Sequence, residues 1–205
     1  MRAKRHEQAI KQLELAQRLA PRDIFLLRNL GKGYLDAQQP DKAADVLGRI
    51  ESLDAHAFTR NVECAALKGR WLRENKSPRD AVEVYRAALG KNPDSYYLAN
   101  LAGEALVEVR DLASARQEFQ HVIDIVTRLR AQREDNVWTR AAMANARFVL
   151  DADEEAIKEL EVIKNERLAG LESLASIERG LETLSKGLDD PEGNRLQRLK
   201  QALRD

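Results

Sequence analysis

The feature that most constrains the fold of this sequence is a column of alanines that recurs at a period close to 34 residues. Ala9, Ala43, Ala81 and Ala115 form the column, with spacings of 34, 38 and 34 residues. Each alanine is followed four positions later by Leu13, Leu47, Tyr85 or Phe119, and three positions after that by Ala16, Ile50, Ala88 or Val122. Spacings of three and four place side chains on one face of a helix. The sequence therefore predicts repeated helices that approach each other closely at a small residue.

A second column indicates the partner helices. Gly31, Gly69 and Gly103 each lie in an apolar helical pattern ahead of the next alanine. A glycine inside a helix costs roughly 1 kcal/mol relative to alanine, so we expect each glycine to allow close packing against a second helix. We expect a turn at Gln39-Pro40-Asp41, and we expect Pro78 in the first turn of a second helix because proline is well tolerated there. We also expect Ser77 to cap the helix that begins at Pro78.

The stretch 24–57 reads Leu27-x2-Leu30-Gly31-x2-Tyr34 and then Ala43-x3-Leu47-x2-Ile50. This order of large, small and aromatic residues resembles one tetratricopeptide repeat (TPR). The resemblance implies an all-α fold, a right-handed superhelix of TPR-type helix-turn-helix repeats, which is an α-solenoid. Such an array presents a concave groove lined by the first helix of each repeat.

We predict a TPR array over 1–168, with a half repeat at 7–23, repeats at 24–57, 62–95 and 96–133, and a degenerate repeat at 135–168. Residues 58–61 are expected to lengthen the first helix of the repeat at 62–95. Residues 169–205 are predicted to form a C-terminal helical cap or a docking tail, because leucines recur there at spacings of three and four residues. The half repeat lacks its first helix, so we expect residues upstream of Met1 to complete it, unless another surface covers Ala9, Leu13 and Ala16.

Composition limits the partners and the compartment. The 34 basic and 34 acidic residues cancel, which gives no overall attraction to nucleic acid or to an anionic membrane. No apolar run approaches the roughly 18 to 20 residues that span a bilayer, and the N-terminus lacks the apolar segment of a secretory signal. Cys64 is the single cysteine, so no disulfide can form within the chain. We therefore expect a cytoplasmic protein with neither nucleic-acid nor membrane partners.

The motifs expected of an enzyme are missing from the sequence. The three histidines have no second histidine or cysteine at ligand spacing, so we predict no metal site. No glycine-rich phosphate loop follows a strand, and Cys64 lies in a run of small residues that favours a buried, inert thiol. Glu154, Glu155 and Glu159 are interpreted as a solvated helix face. We expect no catalytic residues, no cofactor and no enzymatic activity.

Family resemblance also assigns the predicted groove. Its partner-binding residues are Arg28, Lys32, Glu63, Arg70, Arg73, Tyr97, Asn100 and Glu104. A groove with a basic half and an aromatic rim would suit an extended acidic peptide, because arginine grips carboxylates in bidentate fashion. Leu67, Tyr97 and Leu101 stand where chaperone-binding TPR proteins carry polar clamp residues, so we do not expect binding to chaperone tails.

A narrower resemblance covers residues 94–165. Asp94-Ser95-Tyr96-Tyr97 opens one repeat, and Asp135-Asn136-Val137-Trp138 opens the next. This arrangement resembles the TRAF-binding helical-repeat region of apoptosis-signal-regulating kinases and its bacterial relatives. The resemblance implies a regulatory scaffold joined to a covalently linked effector domain.

Two functions from different classes follow from these observations. The first is a protein–protein interaction scaffold, a regulatory segment of a larger signalling or effector protein that binds a peptide or a neighbouring domain in its concave groove. The alternative is a self-associating structural array, a homo-oligomer assembled through its terminal helices. An RNA-binding solenoid is a distant third, because paired base-reading residues do not recur.

Overall fold

The computed structural model describes residues 2–188, 190 and 193–204, with side chains described from residue 7 onward in these ranges. All the regular structure in these residues is α-helical. The helices are α1 (Arg2–Leu19), α2 (Ile24–Asp36), α3 (Pro40–Leu53), α4 (Ala57–Arg60), α5 (Val62–Glu74), α6 (Pro78–Leu89), α7 (Tyr96–Glu108), α8 (Leu112–Ala131), α9 (Val137–Val149), α10 (Asp153–Asn165), α11 (Leu171–Gly187) and α12 (Asn194–Arg204). The predicted all-α class of helical repeats is confirmed.

The chain forms two compact units, Met1–Pro93 and Asp94–Asp205. The first contains the hairpins α2–α3 and α5–α6 together with α1 and α4, and the second contains α7–α8, α9–α10, α11 and α12. The division falls between the repeats predicted at 62–95 and 96–133 and not ahead of residue 169. The C-terminal helices therefore belong to the same compact unit as the last two hairpins.

The predicted glycines lie where helices approach each other closely, within a hairpin or between neighbouring hairpins. A β-carbon built on Gly69 would lie 2.1 Å from Cε1 of Tyr85 in α6, and one built on Gly103 would lie 2.7 Å from Cε2 of Phe119 in α8. Both aromatic rings are fully buried. A β-carbon on Gly31 would lie 2.8 Å from Leu67 Cδ2. The missing side chains thus create the space that the large apolar residues of neighbouring helices fill.

The hairpin turns share one backbone arrangement. The second residue after each first helix has a positive φ: Gln38, Lys76, Arg110 and Asp151. The next residue donates its backbone N–H to a carbonyl of the helix, in the pairs Gln39–Tyr34, Ser77–Leu72, Asp111–Leu106 and Ala152–Arg147, at 2.8 to 3.0 Å. Such bonds satisfy carbonyls that the end of a helix leaves without a partner. The same turn recurs although glycine is absent from these four positions.

Two local expectations are wrong. Residues 57–60 form the separate short helix α4 and do not lengthen α5, because Asn61 is extended (φ −105°, ψ 113°) and its side chain accepts hydrogen bonds from the backbone N–H of Glu63 and Cys64. Asn61 therefore acts as the cap that begins α5. Ser77 occupies the cap position of α6 but makes no side-chain capping hydrogen bond. Pro78 in the first turn still begins that helix.

Glu159 of α10 ties three elements of the second unit together. Its carboxylate is buried, and it accepts from Arg130 Nη1 and Nη2 at 2.8 and 2.7 Å, from Arg140 Nη1 at 3.2 Å and from Arg147 Nη1 at 3.2 Å. The hydrogen bonds that Arg130 donates to Glu159 raise the pKa of Arg130 above its ordinary value. The expectation that Glu159 belongs to a solvated helix face is wrong, because α8 and α9 supply three cations on the side of α10 that faces them.

The packing around Gly69 and Gly48 predicts opposite effects on stability when each glycine is replaced by alanine. Gly69→Ala places a methyl group within the ring of Tyr85, and overpacking of this kind typically destabilises by about 1–3 kcal/mol. Gly48→Ala is the control, because a β-carbon on Gly48 of α3 meets no other atom within 4 Å. It should stabilise by roughly 0.5–1 kcal/mol through helix propensity. Urea denaturation followed by circular dichroism measures both, and equal effects would contradict the packing role of Gly69.

The Glu159 cluster generates a second prediction. Glu159→Gln removes the charge that faces three arginines while keeping the side-chain shape, and breaking a buried ion pair costs about 3–5 kcal/mol when a charge is left uncompensated. The three arginines are partly exposed, so we expect about 2–3 kcal/mol. Glu161→Gln on the exposed side of α10 is the control and should change stability by less than about 0.5 kcal/mol. Thermal denaturation distinguishes the two, and a stable Glu159→Gln variant would refute the assignment.

Candidate protein-binding surfaces

The eight residues predicted to bind a partner fall in both compact units. Five of them, Arg28, Lys32, Glu63, Arg70 and Arg73, lie on the first helices α2 and α5 of the first unit, and Tyr97, Asn100 and Glu104 lie on α7 of the second. Each set is described within its own unit. The two sets have different surroundings.

The first set forms what we call the α2–α5 face. This face consists of Phe25, Arg28, Lys32 and Asp36 of α2 and Glu63, Ala66, Arg70 and Arg73 of α5. Phe25 is 61% exposed, and the guanidinium carbon of Arg28 lies 4.8 Å from the centre of its ring. Lys32 and Glu63 are exposed. An exposed aromatic ring stacked with Arg28, on a helix that also carries the exposed Lys32, is consistent with the predicted basic half of a groove.

Arg70 differs from that prediction because it already has carboxylate partners. Its Nη1 donates to Asp36 Oδ1 at 2.7 Å and its Nε donates to Glu74 Oε1 at 2.7 Å. Burial alone would lower the pKa of Arg70, but the hydrogen bonds to Asp36 and Glu74 outweigh it and raise the pKa. Arg70 therefore links α5 to α2, and a ligand carboxylate would have to replace one of these partners to bind it.

The second set lies under another helix. Asn100 is only 7% exposed and Glu104 is half-buried, whereas Tyr97 remains 40% exposed. Asn100 Nδ2 donates to Glu104 Oε1 at 2.7 Å, and Asn145 Nδ2 of α9 donates to Asn100 Oδ1 at 3.2 Å. Helix α11 packs on α7 and α9 and covers this region. The expectation of an open groove at Asn100 and Glu104 is therefore wrong in this conformation, because a segment of the same chain fills it.

Helix α11 buries an apolar stripe against this surface, which we call the α7–α9 face. Ile177, Leu181 and Leu184 are fully or almost fully buried. Gly187 comes so close to α7 that a β-carbon on it would lie 2.2 Å from Val107 Cγ1 and 2.6 Å from the Val107 carbonyl oxygen. The leucine stripe of the C-terminal tail therefore docks on its own chain.

Helix α12 caps the end of the last hairpin. Arg195 donates from Nε and Nη2 to the carboxylate of Asp153 at 2.8 and 2.7 Å, and its Nη2 also donates to the Phe148 carbonyl at 2.6 Å. Arg198 pairs with Glu154. Leu199 of α12 is fully buried. The acidic residues in the first turn of α10 thus hold the cap.

Asn145 is the site residue that the sequence analysis missed. A signal for it was present, because Lys32, Arg70, Glu104 and Asn145 are each the ninth residue of their helix. Asn145 differs from the other three because it stands in a run of small residues, Ala141 to Ala146. Its position in this column marks it as part of the surface that first helices present.

The first unit also contains a cleft lined mainly by polar and charged side chains. It is formed by α1, α2 and α3, and its lining residues include Glu14, Tyr34, Lys42 and Arg49. The Tyr34 hydroxyl donates to Glu14 Oε1 at 2.8 Å, and Lys42 Nζ lies 5.3 Å from the centre of the Tyr34 ring. Burial first, and then the hydrogen bond to Glu14, raise the pKa of Tyr34 to about 12. This bond attaches α1 to the first hairpin.

The Tyr34 contact predicts a dependence of stability on alkaline pH. A raised pKa means that folding favours the neutral phenol, so the stabilisation is fully present below the ordinary tyrosine pKa of about 10 and is lost as pH rises through about 12. Glu14→Gln should lower the pKa of Tyr34 while leaving it above the ordinary value, because burial is the larger cause. Ultraviolet titration of the chain against its Tyr34→Phe variant isolates this one phenol. An ordinary pKa for Tyr34 would contradict the contact.

The described residues provide neither a metal site nor a membrane-spanning helix. They contain no group of three or more histidine, cysteine, aspartate or glutamate side chains placed to hold a metal ion. Within the same part of the chain, no helix is both long and apolar enough to cross a membrane.

Comparisons with known proteins agree with the architecture. No protein-family model matches the sequence, and the comparison with curated proteins finds no match. Among solved structures, a thermophilic TPR protein of Thermus thermophilus is similar with a TM-score of 0.61 at 16% identity, over 87% of this chain and 92% of that one. PilW, a widely conserved type IV pilus biogenesis factor, gives a TM-score of 0.57 at 16% identity, over 96% and 91%.

The MamA protein is similar with a TM-score of 0.54 at 16% identity, over 82% of this chain and 90% of that chain. Identities this low show the fold and nothing about partners. The structural similarities and the hairpins described above agree with the resemblance that the sequence indicated: the chain has a TPR-type helical-repeat fold.

Proposed function

We propose that the chain is a protein-interaction scaffold and that its first unit binds an extended acidic peptide on the α2–α5 face. The observation that carries this proposal is the exposure of Phe25 together with Arg28, which stacks on its ring, and the exposed Lys32 one helical turn beyond Arg28. Aromatic and arginine residues dominate the energy of protein interfaces, so an exposed phenylalanine stacked with an arginine offers a partner a suitable contact.

The charges on this face favour a ligand of one sign. Arg28 follows Phe25 by three residues and Lys32 follows Arg28 by four, so all three share one side of α2. Arg70 is already engaged by two carboxylates, so we expect Arg28 and Lys32 to contact the ligand and Arg70 to hold α5 against α2. Paired with ligand carboxylates, these two cations would raise the association rate and select acidic sequences.

The peptide proposal also accommodates the regulatory role that the narrower resemblance implies. A scaffold that recognises a short acidic segment can belong to a larger signalling protein and place a linked effector domain beside its target.

Exposed Leu15 and Leu19 on α1 favour self-association as the second candidate function, in which α1 of two copies would cover each other. Sedimentation velocity over a range of concentrations tests it, and a monomer at all concentrations would exclude it.

Peptide display on the intact chain tests the main proposal. We expect selection to enrich peptides rich in aspartate and glutamate. Their affinity should fall at least tenfold for the double variant Arg28→Glu, Lys32→Glu, because like charges then face each other. The matched control is Arg79→Glu, Lys91→Glu, which changes net charge equally at two exposed positions elsewhere in the first unit and should leave affinity within about twofold.

Added salt provides a second readout on the same peptides. Binding by exposed charges weakens as the Debye length shortens, so affinity for the unchanged chain should fall between low and physiological ionic strength, and the double variant should lose this dependence. Enrichment of uncharged peptides, or equal losses in the two double variants, would refute the acidic-peptide proposal.

A further inference from the structure

The α7–α9 face contains a buried polar strip beneath α11. Asn145 donates to Asn100, and Asn100 donates to Glu104, at 3.2 and 2.7 Å. Asn145 is 8% exposed, and its Oδ1 atom has no hydrogen-bond partner among the described residues. Buried side-chain acceptors in native proteins are nearly always satisfied, and one that is not is destabilising. A helix selected only to cover this surface would be expected to supply the missing donor.

Helix α11 presents a glycine at this atom. A β-carbon built on Gly180 would lie 3.6 Å from Asn145 Nδ2 and 3.9 Å from Asn145 Oδ1, at ordinary contact distance. A β-carbon at residue 180 is therefore accommodated beside the amide group of Asn145, the group that carries the unsatisfied oxygen. Glycine is also a poor helix former in the middle of α11. The docked helix is thus weaker at its centre than the surface beneath it allows.

The C-terminal part of α11 packs closely on the α7–α9 face, whereas its first residue is exposed. Gly187 touches Val107 so closely that only glycine fits, and Ile177, Leu181 and Leu184 fill the apolar part of the surface. Leu171, at the start of the helix, is 85% exposed, and the preceding Leu168 is also exposed. The two ends of α11 are joined to α10 and α12 by short connections, so a displaced α11 would remain tethered.

Helix α12 has its own attachment to the last hairpin. Arg195 binds Asp153 of α10 through two hydrogen bonds, and Leu199 is fully buried. The ion pairs Lys200–Glu182 and Arg204–Glu178 connect α12 to α11, and each joins an exposed side chain to a less exposed one. Loss of α11 from the α7–α9 face would therefore leave the cap in place.

We propose that the α7–α9 face is a binding site for an amphipathic helix of another protein, and that α11 is a tethered occupant which that helix displaces. The ligand helix would carry branched apolar side chains at the positions of Ile177, Leu181 and Leu184 and a glycine at the position of Gly187. At the position of Gly180 it would carry serine, whose hydroxyl lies one bond beyond the β-carbon and would donate to Asn145 Oδ1. This site is independent of the α2–α5 face and of its proposed acidic peptide.

The proposal predicts the behaviour of a defined probe. The probe is a fluorescent peptide of residues 171–188 of this chain with the substitution Gly180→Ser, which adds the missing donor. The tethered α11 competes with it, so affinity for the unchanged chain is reduced by the small fraction of molecules in which α11 is undocked. Gly187→Ala in the full chain places a methyl group inside Val107 and should undock α11. We expect the probe to bind this variant at least tenfold more tightly than the unchanged chain.

Gly48→Ala in the full chain is the matched control, since the same change at an open position should leave probe affinity unaltered. A peptide of the same length that keeps Gly180 should bind the Gly187→Ala variant severalfold more weakly than the probe, which tests the role of Asn145 Oδ1. Equal affinity of the probe for the unchanged chain, the control and the Gly187→Ala variant would overturn the proposal.

A second variant keeps the proposal testable if Gly187→Ala fails to fold. Gly180→Ser in the full chain should slow hydrogen exchange of the α11 amides severalfold and weaken probe binding, because the resident helix now holds its site more tightly. In the unchanged chain, α11 should exchange faster than α10. Exchange of α11 and α10 at the same rate would mean that α11 leaves only on global unfolding of the unit, and the α7–α9 face would then be ordinary core.

Discussion

The structure depends on the close approach of two helices at a residue without a side chain. In the hairpins α5–α6 and α7–α8, the ring of Tyr85 or Phe119 occupies the volume that a β-carbon would take on the facing glycine. Interiors are packed nearly as densely as organic crystals, so this exchange of volume fixes both the distance between the helices and their register. Each hairpin becomes a unit of nearly constant shape, and the first helix of each hairpin is left with one side free to contact something else.

The two compact units use that free side differently. On α2 and α5 it carries an exposed phenylalanine and several charges, of which Arg70 is engaged with Asp36 and Glu74. On α7 and α9 it carries an asparagine pair and an apolar surface, which α11 covers. One repeated architecture therefore supports a surface suited to charge recognition in one unit and a surface suited to an apolar helix in the other. The chemistry of the exposed positions decides between them, because the backbone scaffold is the same.

Sequence reasoning predicted the parts of this structure that local spacing determines. The recurrence of Ala43, Ala81 and Ala115 with their large followers is a property of helix packing, and it predicted both the fold class and the role of Gly69. The path of α11 could not be predicted in this way. A stripe of leucines shows that a helix has a face to bury, but it does not identify the surface that receives it. For that reason Asn100 and Glu104 were expected in an open groove, and Glu159 was assigned to solvent although arginines from two other helices surround it.

The long-range contact of Gly187 with Val107 has a consequence for the order in which surfaces appear during synthesis. The most extensive contacts between helices join the two helices of one hairpin, but this one joins residues 80 positions apart. At typical translation rates of about 5–20 residues per second, the α7 surface would be made several seconds before its resident helix. In that interval a helix of another protein could bind the α7 surface without competition from α11. The nascent polypeptide would then be the form in which this surface is most accessible, and the synthesis of α11 would mark the moment at which access becomes restricted.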